Sequence, residues 1–259
     1  MNRRNFLAAA AAAPLTQAFA AQGAAAKKPA CYVIQHYRLQ LGSQATRLAD
    51  YLSKTYLPAL ARVQAGPTLV LDAQLSESLP LVAVIGAYAS VDQALSVRSK
   101  LQADKSLEAA TDTWQAGPEP PYLSLSEELL EATGFAPEFA PLNPPPKAPR
   151  VFEMRVYQTH TLKELRGLKE RFAEAEVQIL TRAGSLPVMF GTPMFGTDNP
   201  NLTWMMAFED MIAHEKFSAA FNADPDWAKV RQQSLQRYGQ IPSFRHLTIY
   251  RAAAYSPIL

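Results

Sequence analysis

Three side chains able to do chemistry lie two residues apart near the middle of this chain. They are Glu153, Arg155 and Tyr157, in the run Val151-Phe152-Glu153-Met154-Arg155-Val156-Tyr157. A spacing of two puts them on one face of a β-strand and Phe152, Met154 and Val156 on the other. The alternation predicts that the apolar trio packs on helices and the polar trio points into the interior of a sheet assembly. A second alternating run, Arg245 to Arg251, divides the same way: Leu247 and Ile249 toward the helices, His246, Thr248 and Tyr250 inward. Together the two inward sets offer a carboxylate, a guanidinium, an imidazole, a hydroxyl and two phenols. Arg155 would orient an anionic or carbonyl ligand, and His246 or Glu153 would move a proton. Tyr157 and Tyr250 would supply aromatic walls with polar tips. The plainer alternative is an ion pair, Glu153 with Arg155, that fixes an interface and does nothing else.

Other chemistries find less support. The four histidines, His36, His160, His214 and His246, stand at no metal-ligand spacing, so no metal site is expected. His36 reads as a core residue on the helix-facing side of its strand, and His214 as a surface or half-buried residue. A haem would need His246 as its axial ligand, a minor alternative to a protein without cofactors. No glycine-rich phosphate loop and no serine or cysteine nucleophile motif occurs. The single cysteine, Cys31, reads as a small apolar residue at the start of a strand. The 25 basic and 23 acidic residues leave a net charge of +2, which gives no case for nucleic acid or an anionic membrane.

The N-terminus carries its own pattern. Arg3-Arg4 precedes a short apolar run broken by Pro14, and Ala18-Phe19-Ala20 supplies small residues for a signal peptidase. This order predicts a twin-arginine export signal over residues 1–20 and a periplasmic or secreted mature protein. The export machinery and the peptidase would be its partners. The run is too short to span a bilayer, which takes about 20 apolar residues.

The elements that must position the polar residues are written twice. Tyr32 to Tyr37 aligns with Phe152 to Tyr157 at an offset of 120, and that offset also pairs Arg62 with Arg182, Pro67 with Pro187 and Asp104 with Asp224. The two copies are residues 30–135 and 151–259. Between them, residues 136–150 carry prolines at 137, 141, 144, 145, 146 and 149, which reads as a semi-rigid linker.

In the second copy, strand 151–157 leads to a helix from about Lys163 to Ala183, opened by Thr161 and Glu164 and ended by Gly184. Gly167 within it costs about 1 kcal/mol against alanine, so packing must carry the helix. A strand from Pro187 to Phe195 follows, where Pro193 implies an edge or a bulge. Leu202 to Phe208, helices from Asp210 and Asp226, and the strand from Arg245 complete the copy. Strand, helix, strand, strand, helix, strand is the order of a ferredoxin-like α+β domain. Helices on one side leave the other sheet face bare, and a second copy would cover it. The expected fold is two βαββαβ repeats pairing as an intramolecular α/β barrel. In the first copy the inward residues would be Val33, Gln35 and Tyr37, with Tyr122, Ser124 and Ser126, so charged work would fall to the second half.

The segments 150–157, 182–191, 200–208 and 221–227 resemble the NIPSNAP family, and the first copy resembles the same domain in diverged form. The resemblance implies a dimeric α/β-barrel fold and no settled reaction. Three functions are compatible with it: a protein binding a small organic ligand inside the barrel, a cofactor-independent oxygenase or isomerase, and an interaction scaffold. Further association into a homo-oligomer is compatible with all three.

Overall fold

The computed structural model describes residues 28–63, 65–141, 146–196 and 198–258. The export segment expected at residues 1–20 lies outside the described residues. The first half contains β1 (Cys31–Arg38), α1 (Gln44–Tyr51), α2 (Leu57–Arg62), β2 (Thr68–Leu75), β3 (Leu81–Tyr88), α3 (Val91–Ala103), α4 (Lys105–Gln115) and β4 (Ser124–Ala132). The second contains β5 (Val151–Gln158), α5 (Leu162–Arg171), α6 (Val177–Arg182), β6 (Leu186–Phe195), β7 (Asn201–Phe208), α7 (Met211–Ala223), α8 (Pro225–Tyr238) and β8 (Phe244–Ala252).

The offset of 120 survives in three dimensions: β3 becomes β7, α3 becomes α7 and β4 becomes β8 with no residue inserted. The caps repeat too. Asp104 accepts from the backbone amides of Ser106 and Leu107, and Asp224 from those of Asp226 and Trp227. Each aspartate is also held by an arginine 2.7 Å away, Arg62 in one half and Arg182 in the other.

All strand pairs are antiparallel, and the order β1-β3-β2-β8-β5-β7-β6-β4 closes on itself. The halves therefore join along two seams, β2 with β8 and β4 with β6, and their bare faces enclose one lumen. Pro193 sits at the β4–β6 seam, beside a register shift at Leu129/Leu130, which is how a residue without an amide hydrogen is tolerated there. At the same seam a Cβ on Gly191 would stand 2.9 Å from Leu130 Cβ, so the strands meet only over bare backbone.

An eight-stranded barrel has room for side chains and little else. Its lumen is filled by residues from all eight strands, among them Tyr32, Leu71, Ile85, Phe152, Met205 and Tyr250. Two further cores lie between the sheets and the helices, one in each half. Phe152 and Met154 thus enter the lumen, and the opposite face of β5 meets the helices. The facing expected for β5 is reversed, because the lumen is filled by apolar side chains from all eight strands while the helix side offers Glu153 and Arg155 polar partners and a crevice. Val33, Gln35 and Tyr37 of β1 likewise face the helices, and His36, whose strand neighbours Ile34 and Tyr32 belong to the lumen core, faces the lumen instead of the helices. Tyr122 precedes β4 and packs on the helix side against Tyr37 and Trp114, so it is not a lumen residue.

The linker does more than connect. Phe139 enters the lumen core, its ring 5.8 Å from that of Tyr32, and Ile258 from the C-terminal tail joins it. Gly167 is explained by a close approach: a Cβ there would meet the Tyr238 ring at 2.7 Å, so α5 and α8 touch across bare backbone.

Phe139→Ala is expected to lower stability by about 3 kcal/mol, measured by urea denaturation, because it empties one end of the lumen. His36 gives a separate, pH-dependent expectation. Burial, reinforced by Arg38, lowers its pKa from 6.5 to about 4. The unfolded chain therefore binds a proton below about pH 6.5 that the folded chain refuses until about pH 4, so this group removes stability as pH falls through that window. His36→Gln should flatten the loss between pH 6.5 and 4 while leaving the carboxylate-driven loss below it.

Candidate functional site

On the helix side of β5, Glu153 is completely buried and would be ruinous without partners. It has two. Arg155 Nε donates to its Oε1 at 2.5 Å, and His214 Nε2 donates to its Oε2 at 2.9 Å. His214 comes from the first turn of α7, whose entry Asp210 fixes by accepting from the Ala213 amide at 2.7 Å. The histidine ring also stands edge-on to Phe208 at 4.9 Å. Arg155 continues the chain of contacts, donating through Nη1 to the Tyr157 hydroxyl at 2.9 Å and lying 5.2 Å above the Trp204 ring. Burial alone would push the guanidinium pKa down. Tyr157 and Glu153 beside it reverse that and raise it above its ordinary value. Burial raises the Tyr157 phenol. Glu153 and His214 thus position Arg155 from behind, and Arg155 and Tyr157 present the surface that a ligand can reach.

That surface opens on a crevice of about 410 Å³ between the sheet and the helices. Arg155, Tyr157, Arg171, Glu176, Arg231 and Arg245 line its polar side. Arg171 is buried, and its Nε donates to Glu176 Oε2 at 2.8 Å while Nη1 donates to the Ile241 carbonyl at 3.1 Å. Arg171 and Glu176 are five positions apart, a spacing that a regular α-helix turns to different faces. A π segment, Phe172–Glu176, links α5 to α6 and brings the pair into line. The regular helix expected from the sequence hides this pair. Burial raises the Glu176 pKa, against the pull of Arg171. Arg231 and Arg245 are exposed and have no ion pair among the described residues.

The six residues predicted to form one cluster divide between two faces. Glu153, Arg155 and Tyr157 face the helices. Phe152 pairs with Tyr250, Met154 with Thr248 and Val156 with His246, so His246, Thr248 and Tyr250 share the lumen face. Tyr250 is embedded in the filled lumen, and burial raises its phenol. His246 sits at the lumen's open end, where Nδ1 lies 2.9 Å from Glu77 Oε1. The split follows from the antiparallel pairing, which places Arg155 opposite Leu247 rather than opposite His246. Arg171, Glu176, Arg231, Arg245 and the role of His214 escaped the sequence reading, because all but Arg245 arrive from helices. Among the described residues no group of three or more metal-ligating side chains converges.

Replacing Glu153 with Leu leaves Arg155 and His214 facing a vacated charge and should cost about 3–5 kcal/mol in urea denaturation. His214→Gln keeps a donor toward Glu153 and should cost about 1 kcal/mol.

The NIPSNAP family model matches residues 152–257. No curated protein matches the chain. Among solved structures, a monooxygenase-like protein from Fusobacterium nucleatum shares 11% identity, covering 87% of this chain and 93% of its own, with a TM-score of 0.55. A monooxygenase-like protein from Lactobacillus acidophilus shares 9% over 87% of this chain and 94% of its own, with a TM-score of 0.51. A NIPSNAP domain protein from Burkholderia xenovorans shares 20% over 40% of this chain and 95% of its own, with a TM-score of 0.35. At such identities the two full-length likenesses show the fold alone, a dimeric α/β barrel here built from one chain. The half that carries the arginine crevice is thus the part of the chain that matches the NIPSNAP family model.

Proposed function

We propose that the protein binds a small organic anion in the arginine crevice of its second half, between sheet and helices rather than inside the barrel. The observation that carries this reading is the convergence of Arg155, Arg171, Arg231 and Arg245 on one crevice of about 410 Å³. Glu153 neutralises Arg155 and Glu176 neutralises Arg171, which leaves Arg231 and Arg245 to supply the excess positive charge. A guanidinium fork matches a carboxylate in shape and hydrogen-bond direction. Phe221 and Trp227, also in the lining, offer apolar surface for the rest of such a molecule. The Tyr157 oxygen accepts from Arg155, so its own hydrogen is available to the ligand. The volume lies in the range of small-molecule sites, about 300–1,000 Å³.

Calorimetric titration with benzoate tests the reading. The wild-type protein should bind it, less tightly as salt rises. The Arg231→Ala/Arg245→Ala protein should bind at least about tenfold more weakly with an unchanged melting temperature, since exposed substitutions move stability by about 0.5 kcal/mol or less. Benzoate left unbound by the wild type, or held equally well by the double variant, overturns the proposal, as would benzyl alcohol binding as tightly as benzoate.

A further inference from the structure

The first half has a crevice at the equivalent place, and its character is different. Gln35, Val97, Leu101, Leu107 and Thr111 line it, at positions 120 residues before Arg155, Phe217, Phe221, Trp227 and Arg231 of the arginine crevice. Its volume is about 700 Å³. The extra space has a definite origin in side-chain size. Where the second half buries Trp204 and Met206 on β7, the first has Val84 and Gly86 on β3. Where α7 and α8 carry Phe217 and Trp227, α3 and α4 carry Val97 and Leu107. Four large side chains are replaced by smaller ones around one point, and Tyr88, whose hydroxyl would stand 2.8 Å from a Cβ at Gly86, takes back only part of that space. At the opposite end the exchange runs the other way. Tyr51 and Trp114, stacked 4.1 Å apart, stand where the second half has Arg171 and Ser234, and they close the region through which the arginine crevice opens.

The polar groups of this cavity are also distinct. Gln35 Nε2 donates to Glu127 Oε1 at 2.8 Å, and Arg98 Nη1 donates to Glu127 Oε2 at 3.0 Å, so that pair is internally neutral, and the other charged residues of the lining, Glu108, Asp112 and Glu128, are carboxylates that disfavour an anion. With its amide nitrogen committed, Gln35 presents Oε1 as an acceptor. That oxygen is buried without a well-formed hydrogen bond, and the Tyr56 phenol interacts with the same amide. A buried acceptor so weakly served is a standing cost that a ligand hydroxyl reduces.

We infer that the first half holds a second ligand site, one for a neutral, largely apolar molecule of drug-like size that carries a hydroxyl donor for Gln35. The chain then has two non-equivalent sites made from one ancestral crevice. The halves differ in ligand class: an anion in the second, an apolar alcohol or phenol in the first.

The test uses 2-naphthol as the probe and follows its fluorescence on titration into the full chain. The wild type should bind it saturably. Val84→Trp, which restores the residue type found at Trp204, should weaken binding at least about tenfold while holding or raising the melting temperature. Val97→Phe fills the same space from the helix side and carries the test if Val84→Trp fails to fold. Gln35→Leu should weaken 2-naphthol more than it weakens naphthalene. Arg231→Ala/Arg245→Ala should leave 2-naphthol affinity unchanged, which separates this site from the arginine crevice. No saturable binding by the wild type, or undiminished binding by the filled variants, overturns the inference.

Discussion

The width of an eight-stranded barrel governs this protein. A lumen of that size is consumed by the side chains that line it, and here Tyr32, Phe152, Met205 and Tyr250 meet with Phe139 from the linker and Ile258 from the tail. The interior is therefore a core shared by the two halves, and each half depends on the other to bury its bare sheet face. Space for a ligand can exist only on the outer side of the sheets, beneath the helices. Both crevices lie there. Duplication within one chain also frees the two outer sites from each other, because a change on one half is not copied onto the other as it would be in a symmetric dimer.

On that outer side the second half accepts a costly arrangement. Glu153 is wholly buried, and its charge is matched by Arg155 and His214 from two different elements. Such a pair adds little net stability over an apolar replacement, yet breaking it is severe. Its consequence is geometric: the Arg155 guanidinium is held between Glu153, Tyr157 and the face of Trp204. The Arg171–Glu176 pair is organised on the same principle, with a π segment supplying the alignment. The first half keeps that π segment, Leu52–Tyr56, and fills the site with tyrosines instead. The backbone device is common to both halves; the chemistry placed on it is not.

Much of this was legible in the residues. Element order, the offset of 120 without insertions, the helix cap at Thr161, and the edge or bulge at Pro193 all follow from local rules: period, capping side chains and the missing amide of proline. Those rules act within a few residues of the chain, and the barrel follows from two bare sheet faces in one molecule. The chemical residues Glu153, Arg155 and Tyr157 were also singled out by their shared face.

The tertiary structure decided which way that face looks. Period two separates the faces of a strand but carries no sign, and a sheet buried on both sides offers two apolar surroundings to choose from. The apolar lumen took Phe152 and Met154, and the polar trio turned to the helices, away from His246, Thr248 and Tyr250. The partners that complete the crevice, His214, Arg171, Glu176 and Arg231, reach it by helix packing and by a single π turn. The difference between the halves likewise became visible only when Trp204 and Val84, or Phe217 and Val97, could be seen on either side of the same space. Local sequence sets which residues share a face; only the closure of the whole chain sets what that face meets.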